Sequence, residues 1–205
     1  MAAYGKILPP WLLGIPKKLS VNVHGSILPK YRGASPIQSA LLSGETVTGV
    51  TVMAMSEKMD EGDVLAVKSI PIDRFDTADS LFRKFSEVSG KFLAETLFAY
   101  DAGKVRRVPQ NHDGATYCSK ISKDSGRIDW SSDAEKVFLA WRGYSSWPGI
   151  FAFLDGKRVV VEKCDVLDED ECPPGTLPGT VFRHGSDFSV RCGEGALILR
   201  RLKIE

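Results

Sequence analysis

The chain has 205 residues, 43% hydrophobic and 26% charged, with a formal net charge of +1, a balance ordinary for a globular protein able to bury a core. No apolar run approaches the ~20 residues of a membrane helix, and the opening MAAYGKILPPWLLGIPKK lacks the basic region, long apolar stretch and small-residue cleavage site of a secretory leader. The four cysteines, at 118, 164, 172 and 192, show no C-x-x-C spacing and no histidine at metal-ligand distance in sequence, which points away from a zinc site and toward a reducing compartment.

In chain order, Leu12 and Leu13 are expected as core residues of a short helix or turn, and Leu19 to His24 as a buried strand. Strand side chains alternate, so Asn22 and His24 share a face. A lone histidine beside an apolar segment is more often structural than catalytic, but the context here is functional in character. Leu28-Pro29-Lys30-Tyr31-Arg32-Gly33 is a loop with two cations and an aromatic. Ser35 followed by Pro36 has the form of a helix cap with proline at the first helical position, and Gly44 closes that helix after Leu42. Thr48 to Met55 and Val64 to Ile72 read as strands. Between them a Met-Asp-Glu-Gly turn places Asp60 as an orienting partner for His24. Thr77 is expected to cap a long helix from Ala78 to about Ala102, with Leu81, Phe85, Val88, Phe92 and Leu97 as its core stripe and Gly90 as a break or a close contact.

Residues 104–117 turn polar, with Arg106, Arg107, Pro109, Gln110, Asn111, Asp113 and Gly114, and read as a linker. Asp129 to Tyr144 carries a second helical pattern, with Ser132 as cap and Val137, Phe138 and Trp141 inward. Beyond the Trp147-Pro148-Gly149 turn come short strands near 151–154, 159–163, 179–182, 188–191 and 196–202, separated by glycine turns, the pattern of a small β-barrel. The expected division is 1–103, a linker at 104–117, and 118–205. Split at Gln110, the first part has 14 Lys and Arg against 11 Asp and Glu, the second 13 against 15, so bulk charge gives no sign of a nucleic-acid face; a local patch from Arg200, Arg201 and Lys203 is the remaining candidate.

The segment HGSILPKYRGASPIQSALLSGETVTGVTVMAMSEKMDEGDVL resembles the methionyl-tRNA formyltransferase family of folate-dependent formyltransferases nearly throughout, and GRIDWSSDAEKVFLAWRGYSSWPGIFAFLDGKRVVV resembles the start of its C-terminal domain. The resemblance implies an α/β fold, with a partial Rossmann-like formyltransferase domain followed by a small OB-like barrel. It puts Asn22, His24 and Asp60 on the family's catalytic positions. It assigns the folate co-substrate, 10-formyltetrahydrofolate, to Tyr4, Gly5, Lys6, Ile7 and Leu8 and to Met59, Glu61, Gly62 and Asp63, with no metal. The loop residues Ser26, Leu28, Pro29, Lys30, Tyr31 and Arg32 would meet the acceptor, initiator methionyl-tRNA. In relatives about three strands precede the position of Ala2 and a basic tail follows that of Glu205. The strand at Ala2 to Gly5 is therefore expected to be a sheet edge that self-associates or frays, and turnover to be impaired.

Formyl transfer is acyl transfer: an amine attacks the formyl carbon and charge develops on its oxygen, where the Asn22 amide and the His24 ring would donate. Three readings follow: formylation of methionyl-tRNA in the cytoplasm, or in the mitochondrial matrix of a eukaryote; hydrolysis of formylfolate or formylation of an amino sugar with the same three residues; and a catalytically silent folate- or RNA-binding remnant.

Overall fold

The β-branched run that begins at Val47 becomes the middle strand of a small sheet, and the candidate site is built beside it. The computed structural model describes residues 8–205, which divide into two units. The first comprises the chain to Ala40 with Glu45–Asp76 and Ser80–Lys120; the second comprises Leu41–Gly44, Thr77–Asp79 and Ile121–Glu205.

In the first unit a single helical turn, α1 (Pro10–Leu13), precedes β1 (Val21–His24), the two-residue strand β2 (Arg32–Gly33) and helix α2 (Pro36–Leu42). No residue of α1 is buried, so Leu12 and Leu13 are only partly covered and are not the core positions expected. The Ser35 carbonyl accepts the Ser39 amide, opening α2 directly behind Pro36. Strand β3 (Val47–Ala54) is buried at every position after its first, as a strand covered on both faces must be, and its side chains are accordingly apolar or small almost without alternation. Strand β4 (Val64–Pro71) follows, then the long helix α3 (Ala78–Asp101) and the two-residue strand β5 (Tyr117–Cys118).

The sheet runs β1-β3-β4, and both pairings are antiparallel, with Asn22 opposite Met53, His24 opposite Thr51 and Val52 opposite Ala66. The Rossmann-like domain expected for this unit implies a parallel sheet. The nine-residue connection from β3 to β4 explains the difference, since it is too short for a crossover and folds the chain directly back. Among the described strands of this unit β2 and β5 pair in parallel, Arg32 opposite Tyr117 and Gly33 opposite Cys118. Along α3, Leu81 and Phe85 are buried, whereas Leu97 is 38% exposed. Gly90 interrupts nothing: the helix is continuous through it, and a methyl group there would meet no atom within 4 Å.

The second unit places helix α4 (Ala134–Gly143) with five strands, β6 (Ile150–Leu154), β7 (Lys157–Leu167), β8 (Val181–His184), β9 (Asp187–Arg191) and β10 (Ala196–Ile204). Their order is β6-β7-β10-β9-β8 with every pairing antiparallel. Among the described residues the sheet is open, with β6 and β8 at its two edges. Its core joins Val137 and Phe138 of α4 to Ile150, Val161, Cys164, Cys192 and Leu197, with Trp141 packed against it. Asp133 occupies the cap position of α4 where Ser132 was expected, one residue earlier. Burial pushes the Cys192 thiol up to about 11 and raises Cys164 as well, so both behave as small apolar core residues. No helix among the described residues is long and apolar enough to cross a membrane.

Candidate active site

The antiparallel ladder with β3 ends β1 at His24, so the chain leaves the sheet with Asn22 and His24 on one face and enters the loop that returns at β2. His24 is buried. Its Nε2 lies 2.9 Å from the Tyr31 carbonyl oxygen, and its Nδ1 lies 3.6 Å from Oδ2 of Asp60. A carbonyl oxygen only accepts, so the first contact puts a proton on Nε2 and turns Nδ1 toward the carboxylate. The Asn22 carboxamide is half-buried and finds no partner among the described residues, which leaves its N–H groups for a ligand.

Asp60 is held on two sides. Its Oδ2 accepts the Gly33 amide at 2.9 Å, and its own carbonyl accepts Nε2 of Gln110 at 2.9 Å. The same Gln110 nitrogen donates to the Gly62 carbonyl at 2.7 Å. Asp60 has φ +54, in the left-handed region, a conformation that persists in a non-glycine residue only where its surroundings impose it. Gly62 is a site of close approach: any Cβ there would collide with the Ala54 carbonyl. Met59 is 55% exposed, Glu61 and Asp63 are partly covered, and Asp63 pairs with Arg107 at 2.9 Å.

The loop residues expected to meet an acceptor separate into two groups. Lys30 is exposed and pairs with Glu45 at 2.9 Å, and the half-buried Tyr31 donates its hydroxyl to the same carboxylate at 2.8 Å. The hydrogen bond and charge of Lys30, with the Tyr31 hydroxyl, hold the Glu45 carboxyl below its usual range, and Glu45 in turn raises Lys30. Pro29 is half-buried beside them. Ser26, Leu28 and Arg32 are buried, Arg32 to 1% exposure. Ser26 closes the loop by donating to the Lys30 carbonyl at 2.5 Å, while the Leu28 amide donates to the Thr51 hydroxyl at 3.2 Å. Arg32 donates to Oε1 of Gln110 from Nε at 3.2 Å and from Nη2 at 2.7 Å, and to the Tyr117 hydroxyl at 3.2 Å. Of the remaining expected residues, Leu8 is partly buried, and Tyr4, Gly5, Lys6 and Ile7 lie outside the described residues.

Gln110 was read only as a linker residue. Its place is set by an antiparallel bridge two residues earlier, where Val64 and Val108 exchange amide-to-carbonyl bonds of 2.8 and 2.9 Å. The nearest signal in the sequence is the Val105–Val108 stretch, whose two valines frame a pair of arginines; nothing local announces its partner forty-four residues back.

The sequence profile described as Formyl transferase matches residues 1–97, and that described as Formyl transferase, C-terminal domain, matches residues 120–205. Curated proteins named methionyl-tRNA formyltransferase from Caldanaerobacter subterraneus subsp. tengcongensis and Myxococcus xanthus are 40% and 41% identical over the whole chain, which covers 65% and 64% of their own lengths. Among solved structures, HypX from Aquifex aeolicus in complex with tetrahydrofolic acid superposes with a TM-score of 0.65 at 24% identity, covering 89% of this chain and 31% of that one. Methionyl-tRNA formyltransferase from Clostridium thermocellum superposes with a TM-score of 0.63 at 18% identity, covering 90% and 68%. These two likenesses speak to the fold alone. With both profiles matched in tandem and identity near 40% along its whole length, the chain belongs to the methionyl-tRNA formyltransferase family.

Proposed function

We propose that these residues transfer a formyl group from 10-formyltetrahydrofolate to the amino group of initiator methionyl-tRNA, with Asn22, His24 and Asp60 as the catalytic set. The observation that carries the reading is the meeting of His24 Nδ1 and Asp60 Oδ2 at 3.6 Å, from elements thirty-six residues apart, beside an Asn22 amide with no partner among the described residues. In the reaction the amine nitrogen bonds to the formyl carbon, the bond from that carbon to folate N10 breaks, one amine proton leaves, and N10 gains one. Charge collects on the formyl oxygen in between. Asn22 donates to it, and the Nε2–H of His24 joins by leaving the Tyr31 carbonyl once substrate arrives; such tightening is usual between free and bound sites. Each such donor is worth about 3 kcal/mol. Asp60 orients the ring from the Nδ1 side and helps pass the proton that leaves the amine toward folate N10.

The pterin of the folate would lie along residues 4–8 and the 59–63 turn, and Lys30 and Tyr31 would meet the acceptor by exchanging Glu45 for it. We take residues 1–103 as the catalytic part and 118–205 as an OB-like part, with 104–117 joining them while feeding Gln110 into the site. Cytoplasmic translation initiation, or the mitochondrial matrix in a eukaryote, is the setting that fits this substrate; the segment expected to self-associate, residues 2–5, lies outside the described residues. The chain spans about 65% of the length of the relatives it matches. A polypeptide of these 205 residues alone is expected to turn over at least ~100-fold more slowly than a full-length relative, since misplacing the acceptor by ~1 Å costs that much.

The test is to offer labelled 10-formyltetrahydrofolate with initiator methionyl-tRNA, with water alone, or with an amino-sugar nucleotide. Label in methionyl-tRNA is the expected result. Label in formate without an acceptor, or in the sugar, overturns the choice of acceptor, and a rate equal to that of a full-length relative overturns the expected impairment.

A further inference from the structure

We infer that Gln110, locked by the buried guanidinium of Arg32, is a positioning residue that sets the Asp60 turn and, through it, the direction of the His24 ring. The inference rests on the proposed role of the His24–Asp60 pair. One carboxamide performs two tasks. Its nitrogen ties the carbonyls of Asp60 and Gly62 together, at 2.9 and 2.7 Å, and so fixes both ends of the Glu61–Gly62 segment that follows Asp60. Its oxygen takes two N–H groups of Arg32, at 3.2 and 2.7 Å. An arginine has no acceptor to offer, so the carboxamide cannot flip: turning it over would set its NH2 against the guanidinium and its oxygen against two carbonyls.

Arg32 is itself immobile. Its amide donates to the Thr116 carbonyl at 2.8 Å in the β2–β5 pairing, its Nη1 donates to the Tyr117 hydroxyl, and its guanidinium lies 5.8 Å from the Tyr117 ring centroid. Glu61 stands 3.7 Å from Nη1 and offsets the buried charge. Asp60 is held at φ +54, a region that side-chain-bearing residues avoid, and the Gln110 clamp is what opposes relaxation of that backbone. Besides His24, the anchor of the Asp60 carboxylate among the described residues is the Gly33 amide. Released by Gln110, the turn would move the carboxylate away from both Gly33 and His24.

Hydrogen exchange at Gly33 reports this displacement without any need for activity. In Gln110→Met, which keeps the size but removes both polar ends, Gly33 amide exchange is expected to accelerate at least tenfold. The amides of Arg32 and Ala34 on either side, bonded to Thr116 and Cys118, are expected to stay within twofold. Single-turnover formyl transfer should fall 10- to 100-fold in Gln110→Met, and Asp60→Asn/Gln110→Met should be no slower than Asp60→Asn alone. Gln110→Glu is the second variant: it keeps the Arg32 partner, sets an acceptor against the two carbonyls, and should repeat the Gly33 effect even where Gln110→Met fails to fold. Exchange that rises equally at Arg32, Gly33 and Ala34, or not at all, overturns the inference. If Asp60→Asn transfers formyl at the parental rate, the reading of the site fails instead; if Asp60→Asn is inactive and Gly33 exchange is unmoved by both Gln110 variants, only the positioning role fails.

Discussion

A carbonyl oxygen at a left-handed residue orients His24: Tyr31, at φ +59, turns its C=O back onto Nε2, and the imidazole is thereby given one proton position, with Nδ1 facing Asp60. The sequence shows that His24, Asn22 and Asp60 lie in suitable elements, but the Tyr31 carbonyl is invisible to it, because backbone groups carry no side-chain signature. The same holds for Arg32, which in sequence looks like a surface cation of a polar loop and in the structure is buried with its donors spent on Gln110 and Tyr117. Away from the site, Asp76 shows how a single carboxylate secures an element. Burial alone would raise its pKa, but bonds from Lys84, Ser80 and the Asp73 amide outweigh that and leave it below the usual carboxylate value. A depressed folded-state pKa adds stability above the unfolded value near 4, lost as pH falls through the lower folded value. Asp76→Asn is therefore expected to lower stability by about 1–2 kcal/mol at pH 7, with the difference from the parent closing as pH falls below the usual carboxylate range; urea melts across an acid pH series measure both.

At the scale of elements, the strands and helices were legible because period-two and period-3.6 patterns are local. Val47–Ala54, Val64–Pro71 and Ala78–Asp101 fall within a residue or so of their expected limits. Pairing direction was not legible, because it depends on how a short connection folds back and not on either strand. The reading of Gly90 failed for a related reason: a glycine's purpose lies in its surroundings, and here they are open solvent. Gly90→Ala is accordingly expected to stabilise the first unit by about 0.5–1 kcal/mol, raising its melting temperature by a few degrees. Gly62→Ala is the opposite case. The added methyl would drive into the Ala54 carbonyl, so the 59–63 turn must shift. Loss of formyl transfer larger than the loss of stability is the expected signature, read by comparing thermal melts with single-turnover rates.

For the whole molecule, the resemblance carried in two separated segments proved sound: both profiles match, in order, across nearly the entire chain. Bulk charge gave no sign of a nucleic-acid face, and ion pairs occupy the one local patch that the sequence offered. The basic cluster near the C-terminus is paired within its own unit, Arg201 with Glu162 at 2.8 Å, Arg200 with Asp187 and Lys203 with Glu205, so it offers little free charge to a phosphate backbone. The claim that joins residue, element and family is that the Asn22–His24–Asp60 constellation performs formyl transfer. The most direct measurement is single-turnover formylation of initiator methionyl-tRNA by the parent chain and by His24→Ala, both shown folded by their amide spectra. The account predicts a fall of at least about 100-fold on losing the ring; a His24→Ala chain as active as its parent would contradict it.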